Sequence, residues 1–304
     1  MTPGGRLAAL LAKGIFVVTG EIVPPKAGGS ASVTAQAREV VGSVDAVNVT
    51  DNPTASAHMS PLAGVRFVAE AGIEPTLQLT CRDRNRLALT ADLLGAWALG
   101  ARNLLAMGGD PIEVGDHPDA KAVFDLGVLE LVALARRLRD DGTSLAGTSV
   151  EDPPRFLIGV ADAPLVDVYE PARLTAKLDA GADFVMTQIV YDVERLAAWA
   201  DRERAAGLFE RTGVIVGVSP LRSARQARFM NERLPGVVVP PDAVAALERA
   251  GDGAAEVGLE HAVGIVKAIR GIEGIAGVHL MGMGHDEVVR AVVERAGLFP
   301  RPTG

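Results

Sequence analysis

The sequence is poor in cysteine, in basic runs and in long hydrophobic segments. Cys81 is the only cysteine among 304 residues, which excludes an internal disulfide and a metal site built from several cysteines. The net charge is −8 and no dense Lys/Arg run occurs, so nucleic acid is not an expected partner. No segment approaches the roughly 18 uninterrupted apolar residues of a membrane span, and the N-terminus lacks the pattern of a secretion signal. We therefore expect a soluble, cytoplasmic protein without a membrane partner.

Several functional motifs are also absent. No GxGxxG follows a predicted strand and no GxxxxGK[ST] occurs, so dinucleotide binding of the Rossmann kind is not indicated. No GxSxG is present, which argues against a serine hydrolase with that motif. His and Asp lie close together in residues 115–121 and 279–287, but their spacing matches no familiar metal site. We expect no bound metal.

Short Val/Ile/Leu-rich runs alternate with longer Ala/Leu/Arg/Glu-rich segments along the chain. The continuous apolar runs favour a parallel sheet covered on both faces. About eight alternations in 304 residues favour an α/β fold of the (β/α)8 TIM barrel type, with a doubly wound open sheet as the alternative. No linker or repeat is visible, so we expect one domain over residues 1–304. The predicted strands are residues 15–22, 46–50, 74–80, 103–107, 156–160, 184–189, 213–218 and 277–281.

Two regions interrupt this alternation. Residues 108–126 form a long polar segment after the fourth predicted strand, and residues 235–272 contain two extra helical patterns before the last strand. Loops of this length inside a compact domain usually carry function. Both regions are therefore candidates for a functional site.

The carboxyl ends of the predicted strands are unusually polar. A polar residue at one strand end is usually a helix cap or a solvated turn. A barrel, however, brings all of these ends to one rim, where barrel enzymes have their active sites. The sequence therefore predicts a binding site on this rim. Its polar and glycine residues are Glu21, Asn48, Thr50, Asp51, Asn52, Gln78, Thr80, Gly108, Gly109, Asp110, Asp162, Thr187, Gln188 and Ser219.

Glu21 differs from the other strand-end residues because its neighbours are apolar. It lies in the stretch TGEIVPPK, between an apolar run and two prolines. An enclosed carboxyl group favours its protonated form and can donate a proton near neutral pH. The two prolines fix the path on which the chain leaves the strand. The alternative interpretation is that Glu21 forms a salt bridge with an arginine across the barrel.

Short motifs in a fixed order carry a resemblance to a known family. They are Glu21-x-x-Pro24-Pro25, Thr50 within NVTD, LTC at 79–81, GD at 109–110, DAGAD at 179–183 and TQ at 187–188. With these motifs the chain resembles the methylenetetrahydrofolate reductase family over nearly its whole length, and residues 48–100 look most like the short bacterial forms. The resemblance implies a flavin-containing barrel that moves a hydride from NAD(P)H to flavin and then to 5,10-methylenetetrahydrofolate. The product would be 5-methyltetrahydrofolate.

The resemblance also implies roles for single residues. Glu21 falls on the catalytic glutamate, the general acid that helps open the five-membered ring of the folate. Asp110 falls on a second catalytic position, the acid beside the flavin and the pterin, and Gln188 falls on a glutamine that contacts the folate. The expected cofactor-binding positions are Thr50, Asp51, Gln78, Thr80, Gly108, Gly109, Asp110 and Lys177.

The resemblance implies FAD as the cofactor, with FMN as the alternative and NAD(P)H as the electron donor. Gly108 stands where many members have arginine, Gln78 stands where many have histidine, and residues 161–173 look shorter than the FAD-binding loop of the family. Nearby polar side chains could compensate for these departures by contacting an anion. These candidates are Arg82, Arg84, Asn85 and Lys121.

Two alternative functions also fit these observations. One is a flavin-free or deazaflavin-dependent methylene-tetrahydropterin reductase. The other is a non-catalytic subunit that binds a pterin or flavin within a larger electron-transfer complex. We expect a homo-oligomer, and the short bacterial forms include members that work with an iron–sulfur partner subunit.

Overall fold

The computed structural model, which describes residues 2–302, contains a closed barrel of eight parallel strands. Each strand is hydrogen-bonded to the next one along the chain, and the last pairs with the first. The predicted (β/α)8 barrel is confirmed, and the open-sheet alternative is wrong. In chain order the strands are β1 (Val17–Ile22), β2 (Ala46–Val49), β3 (Pro75–Thr80), β4 (Asn103–Met107), β5 (Leu157–Asp162), β6 (Phe184–Ile189), β7 (Gly213–Val218) and β8 (Ile275–Leu280).

Helices surround the barrel and pack their apolar faces against the outside of the sheet. Two helices beyond the simple alternation, α9 and α10, precede β8, as the extra helical patterns predict. Within residues 2–302, no helix is long and apolar enough to cross a membrane. The helices are α1 (Arg6–Ala12), α2 (Ala31–Val40), α3 (Pro61–Glu70), α4 (Arg86–Leu99), α5 (Val128–Asp141), α6 (Pro171–Ala180), α7 (Val193–Ala205), α8 (Ala224–Arg233), α9 (Pro241–Ala250), α10 (Ala254–Arg270) and α11 (Glu287–Arg295).

The first helix closes the amino-terminal end of the barrel. Leu7 and Leu10 of α1 are fully buried and pack against Val17 and Phe184 in the barrel interior. Glu74 accepts hydrogen bonds from the backbone N–H of Leu7, among others, and thereby caps the helix. The sequence did not predict this helix, because its apolar run is short and is followed by Lys13-Gly14. The closed end leaves the opposite rim as the open face.

Alternation along β1 decides which of its side chains face the barrel interior. Val17 packs with the inner core, whereas Val18 and Ile22 pack with the helices outside. Since successive side chains of a strand point to opposite faces, Thr19 and Glu21 share the inward face with Val17. Glu21 is therefore placed at the open rim and directed into the barrel mouth.

Candidate active site

A cavity of about 230 Å³ opens at the carboxyl ends of the strands. Glu21 reaches it from β1 with a side chain that is 22% exposed. Pro24 and Pro25 follow the strand and cannot extend it by hydrogen bonding, because proline has no backbone N–H. The cavity is mostly apolar with a few polar groups, as is usual for a small-molecule site. Its lining consists of Glu21, Gln78, Leu105, Met107, Ala161, Asp162, Ala163, Met186, Thr187, Gln188, His279 and Met281.

Glu21 contacts an amide and an imidazole. Gln78 Nε2 donates a hydrogen bond to Glu21 Oε2 over 3.1 Å, and His279 Nε2 lies 3.7 Å from the same oxygen. Within residues 2–302, no arginine or lysine forms an ion pair with Glu21. The arginine pairing considered from the sequence is therefore not present. Among the described residues, the lining of this cavity contains no arginine or lysine.

His279 is a site residue that the sequence interpretation missed. It lies in β8, is only 2% exposed, and its Nδ1 is 2.9 Å from the hydroxyl oxygen of Thr19. In the sequence it stands out only as part of residues 279–287, whose His and Asp spacing matches no familiar metal site. Its position in the last strand is the one feature that could have indicated its role. In a closed barrel β8 lies beside β1, and Thr19 pairs with His279 in register. Only barrel closure makes these residues adjacent.

Asp51 and Thr80, two predicted cofactor contacts, bind each other. Asp51 Oδ2 accepts hydrogen bonds from both the backbone N–H and the hydroxyl of Thr80, each over 2.9 Å. Arg84 donates to both carboxylate oxygens of Asp51, at 2.7 and 3.1 Å. The Asp51 side chain has no exposed surface. The geometry gives Asp51 and Thr80 a structural task in joining β2 to β3, and neither lines the cavity.

Asp110 lies on the rim outside the cavity. Its side chain accepts a hydrogen bond from the backbone N–H of Thr54 over 2.8 Å and is exposed. Gly108 and Gly109 precede it, and Gly109 has φ +98°, where a Cβ would lie 2.9 Å from Arg82 Cβ. Only glycine fits this position without strain. The predicted Gly-Gly-Asp segment is thus a tight turn on the rim.

Thr50 also lies beside the cavity rather than in it. The residue is 3% exposed, and its hydroxyl oxygen is buried without a hydrogen-bond partner among residues 2–302. Buried hydroxyl groups are normally paired. Thr50 therefore offers one unused hydrogen-bonding group close to the rim.

The arginines considered as anion contacts are occupied by carboxylates. Arg82 is 2% exposed and binds Asp83 through two nitrogens, each at 2.7 Å. Arg84 binds Asp51 and also Asp92, the latter over 2.7 Å. Neither guanidinium group is free to receive a phosphate. The expectation that these two arginines contact an anion is therefore wrong.

The other two candidates do not complete an anion site with them. Asn85 uses its side-chain oxygen to cap α4, accepting from the N–H of Ala88 over 3.1 Å. Lys121 lies exposed in the loop before α5. The β3 side of the rim thus lacks a cluster of unpaired donors.

Lys177 lies in a side cleft that continues from the central cavity. This cleft has a volume of about 270 Å³ and shares Ala161, Asp162 and Ala163 with the cavity around Glu21. The Lys177 ammonium donates to the backbone oxygen of Ala161 over 2.6 Å and lies 3.9 Å from Asp162 Oδ1. Tyr169 donates to the other oxygen of Asp162 over 3.1 Å.

Burial shapes the charges in this cleft. Burial raises the pKa of Asp162, and the nearby Lys177 ammonium partly offsets that rise. Burial likewise lowers the pKa of Lys177, against the attraction of Asp162. The nearest carboxylate oxygen to the Lys177 ammonium is 3.9 Å away. A second anion beside Lys177 would favour its charged form and offset the cost of its burial. A third, mostly apolar cavity of about 510 Å³ is also lined by Arg173 and Lys177.

Gln188 lines the cavity from the end of β6. Its Oε1 accepts from the backbone N–H of Ile189 over 2.9 Å, and its Nε2 reaches the oxygen of Pro235 at 3.4 Å. Pro235 belongs to the segment between α8 and α9, so one of the two irregular regions does approach the cavity. The Nε2 group retains a second hydrogen for a ligand.

The structure thus brings Glu21, Gln78 and Gln188 together and places Lys177 in the adjoining cleft. The β2–β4 segments with Thr50, Asp51, Thr80 and residues 108–110 form the neighbouring part of the rim. In the described part of the chain, no group of three or more His, Cys, Asp or Glu residues is arranged to hold a metal ion.

Comparison with known sequences identifies one family. The family model for methylenetetrahydrofolate reductase matches residues 6–297. Methylenetetrahydrofolate reductase 1 of Schizosaccharomyces pombe is 28% identical over 239 residues, which cover 75% of this chain and 36% of that protein. The 5,10-methylenetetrahydrofolate reductase of Pectobacterium carotovorum is 28% identical over 233 residues, covering 75% of this chain and 72% of that protein. The chain thus spans about a third of the yeast relative and most of the bacterial one.

Comparison with solved structures supports the barrel. An uncharacterised protein from Clostridium thermocellum, which binds two copies of 5-methyl-5,6,7,8-tetrahydrofolic acid, has a TM-score of 0.63 at 14% identity and covers 94% of this chain and 97% of its own. Riboflavin lyase with modified FMN and riboflavin has a TM-score of 0.54 at 10% identity, covering 93% and 92%. At these identities the likeness establishes the fold.

Proposed function

Because the chain belongs to the methylenetetrahydrofolate reductase family, we propose that this barrel reduces 5,10-methylenetetrahydrofolate to 5-methyltetrahydrofolate, with Glu21 as the proton donor. The observation that supports this most directly is the acid in the cavity at the barrel mouth, which has no arginine or lysine partner among residues 2–302. The fold neighbour from Clostridium thermocellum binds two copies of the proposed product. That ligand agrees with the proposal.

The reaction requires the five-membered ring of the folate to open before reduction. A proton passes from the Glu21 carboxyl group to one ring nitrogen, the bond from that nitrogen to the methylene carbon breaks, and its electron pair stays on the nitrogen. The methylene carbon, now doubly bonded to the other nitrogen, accepts a hydride and becomes the methyl group. General acid catalysis of such a step typically contributes about 10²- to 10⁴-fold.

The remaining cavity residues bind and enclose the substrate. Gln188 Nε2 has a hydrogen available to donate to a polar edge of the pterin. Leu105, Met107 and Met186 line the cavity with apolar surface, which excludes water from the opened ring. Exclusion of water strengthens the interactions of Glu21 with the reacting nitrogen.

The side cleft fits an elongated, anionic cofactor, and we propose FAD. Three cavities follow one another: the first two share Ala161 to Ala163, and the last two share Arg173 and Lys177. Lys177 and the N-terminal end of the ten-residue helix α6 offer positive charge along this path. A bound flavin supplies hydride transfer from NAD(P)H to the folate carbon. Lys177 would hold its phosphate groups, and the apolar third cavity suits a nucleobase.

Replacement of Glu21 by Gln tests the assignment of the proton donor. The amide keeps the size of the side chain but cannot donate a proton of comparable acidity. We expect Glu21→Gln to retain reduction of the bound flavin by NAD(P)H and to lose methylenetetrahydrofolate reduction by at least about 100-fold. Stopped-flow absorbance measures both half-reactions. Glu39→Gln on the exposed side of α2 is the matched control, and a variant rate equal to that of the wild type would refute the assignment.

The absorbance spectrum of the purified chain tests the cofactor. We expect a flavin spectrum and release of FAD on heating, and we expect Lys177→Met to weaken FAD binding by about 10-fold or more, because it removes a half-buried ammonium. Lys267→Met on α10 serves as the control.

A colourless protein that still reduces methylenetetrahydrofolate would favour the flavin-free reductase. Binding of 5-methyltetrahydrofolate without turnover by NAD(P)H or an artificial donor would favour the non-catalytic subunit.

A further inference from the structure

Both contacts of the Glu21 carboxyl group are made to one of its two oxygens. Gln78 Nε2 donates to Oε2 over 3.1 Å, and His279 Nε2 also faces Oε2, at 3.7 Å. In residues 2–302, Oε1 has no hydrogen-bond partner. Since the carboxyl group lines the cavity, the two oxygens are not equivalent. One is held by the protein, and the other is available to a ligand.

The contact between Thr19 and His279 sets the orientation of the imidazole. The Thr19 hydroxyl oxygen lies 2.9 Å from His279 Nδ1 but 3.5 Å from the backbone oxygen of Val278. At 3.5 Å the contact with the Val278 oxygen is too long for a good O–H···O hydrogen bond, so the hydroxyl proton is assigned to the contact with Nδ1. The proton of the imidazole then resides on Nε2 and points toward Glu21 Oε2. At 3.7 Å this is an electrostatic contact that can shorten into a hydrogen bond when a ligand is bound.

We propose that His279 and Gln78 are positioning residues that hold Oε2 of Glu21, so that Oε1 carries the proton transferred to the folate nitrogen. This inference rests on the proposed function. In the transfer, the Oε1–H bond breaks, the nitrogen takes the proton, and the carboxylate charge that forms is shared with an oxygen already facing two N–H donors. The arrangement therefore stabilises the product of the proton transfer.

Gln78 and His279 can hold the Glu21 carboxyl group without fixing its charge, because neither carries a permanent positive charge. An arginine at the same distance would hold the acid ionised and prevent it from acting as a donor. An amide and an Nε2–H imidazole instead orient the group without adding a fixed charge. Two other acids adjoin the site: Asp162 lines the same cavity, and Asp286 at the start of α11 interacts electrostatically with Glu21. Neither forms a hydrogen bond with the Glu21 side chain.

Two substitutions of His279 separate its two contacts. The amide of His279→Asn occupies the place of Nδ1 and keeps the contact with Thr19, whereas the amide of His279→Gln reaches the place of Nε2 and restores a donor to Glu21. We expect the Asn variant to lose kcat by about 10- to 100-fold with KM for the folate within about threefold. We expect the Gln variant to recover most of this loss. His261→Asn on α10, outside the cavity, should equal the wild type.

A second readout does not depend on turnover. The chain has five histidines, so a ¹⁵N–¹H correlation spectrum of the imidazoles can assign the His279 signals by their loss in His279→Asn. We expect the Nε2–H form, with a proton signal that moves in Glu21→Gln. An Nδ1–H form, or a signal unaffected by Glu21→Gln, would overturn the proposal even if wild-type turnover is normal.

The outcomes distinguish this proposal from the proposed function. Wild-type protein without methylenetetrahydrofolate turnover contradicts the function, whereas equal kcat values for His279→Asn and the wild type contradict only the positioning role. If His279→Asn fails to fold, as judged by circular dichroism, Gln78→Met serves instead. This variant keeps the length of the side chain, removes the donor at 3.1 Å, and should lower kcat more than it changes KM. Unchanged kcat in Gln78→Met would overturn the proposal.

Discussion

Replacing Asp51 by Asn tests whether this residue holds the rim together. The Asp51 carboxylate receives four hydrogen bonds, two from Thr80 and two from Arg84. In Asp51→Asn, one acceptor oxygen becomes an NH2 group that faces these donors, and the negative charge opposite Arg84 is lost. Removing one partner of a buried ion pair typically costs about 3–5 kcal/mol.

The expected loss lies at the low end of that range. Arg84 keeps a second carboxylate, Asp92, at 2.7 Å, which partly compensates the guanidinium charge. We expect the free energy of unfolding to fall by about 3 kcal/mol. With an unfolding entropy of about 2.1 cal/mol/K per residue and 304 residues, this corresponds to a Tm about 5 °C lower. Urea unfolding and thermal melting followed by circular dichroism measure both quantities.

Two controls make this test specific to the ion pair. Asp92 is 23% exposed and bonds Arg84 through one nitrogen, so Asp92→Asn should cost only about 1 kcal/mol. The double variant Asp51→Asn with Arg84→Met should be less destabilised than the sum of the two single variants, because the two groups act as a pair. An Asp51→Asn variant that melts like the wild type but binds FAD more weakly would refute the structural interpretation. Asp51 would then contact the cofactor, as first expected from the sequence.

Two further predictions concern stability. Burial, with the charges of Glu287 and Glu21, raises the pKa of Asp286 to about 6. Between about pH 4 and 6 the folded state therefore binds this proton and the unfolded chain does not, so stability falls as pH rises through that window. Asp286→Asn should raise the free energy of unfolding by roughly 2–3 kcal/mol at pH 7.5 and little at pH 4. Gly109→Ala, at φ +98°, should cost about 2 kcal/mol, whereas Gly95→Ala, in open space on α4, should stabilise by up to about 1 kcal/mol.

Urea unfolding at several pH values checks both predictions. An Asp286→Asn variant whose stability difference from the wild type is the same at pH 4 and pH 7.5 would contradict the assigned burial effect. Equal losses in Gly109→Ala and Gly95→Ala would show that the tight turn at Gly109 tolerates a side chain.

The fold could be predicted from the sequence because its signals are local. Each strand is a short apolar run, and Gly72, Gly100, Gly181 and Gly207 stand near the ends of the helices that precede the next strands. These signals depend on hydrophobic periodicity and on glycine's access to positive φ. The helices α9 and α10 were visible for the same reason. The short helix α1 was not, because its burial under the barrel is a tertiary contact.

The candidate site was only partly predictable. Strand-end position identified Glu21, Gln78 and Gln188, because parallel strands of a barrel end at one rim. The same reasoning could not tell a residue that faces the cavity from one that is bound to its neighbour. Asp51 and Arg84 are polar residues near a strand end like the others, yet they bind each other. Such pairing depends on distances between segments that the sequence does not contain.

Local sequence is sufficient to establish the alternation of strands and helices, the polar character of one barrel rim and the position of an acid at the end of β1. These properties follow from residue type and spacing, which act over a few residues. The tertiary structure alone decided which polar groups meet. Closure of the barrel places β8 beside β1 and therefore His279 beside Glu21 and Thr19, although some 258 residues of chain separate them. It also engages Arg82 and Arg84 with carboxylates and leaves Lys177 facing the side cleft beside Asp162, so the distribution of charge around Glu21 is a property of the folded barrel.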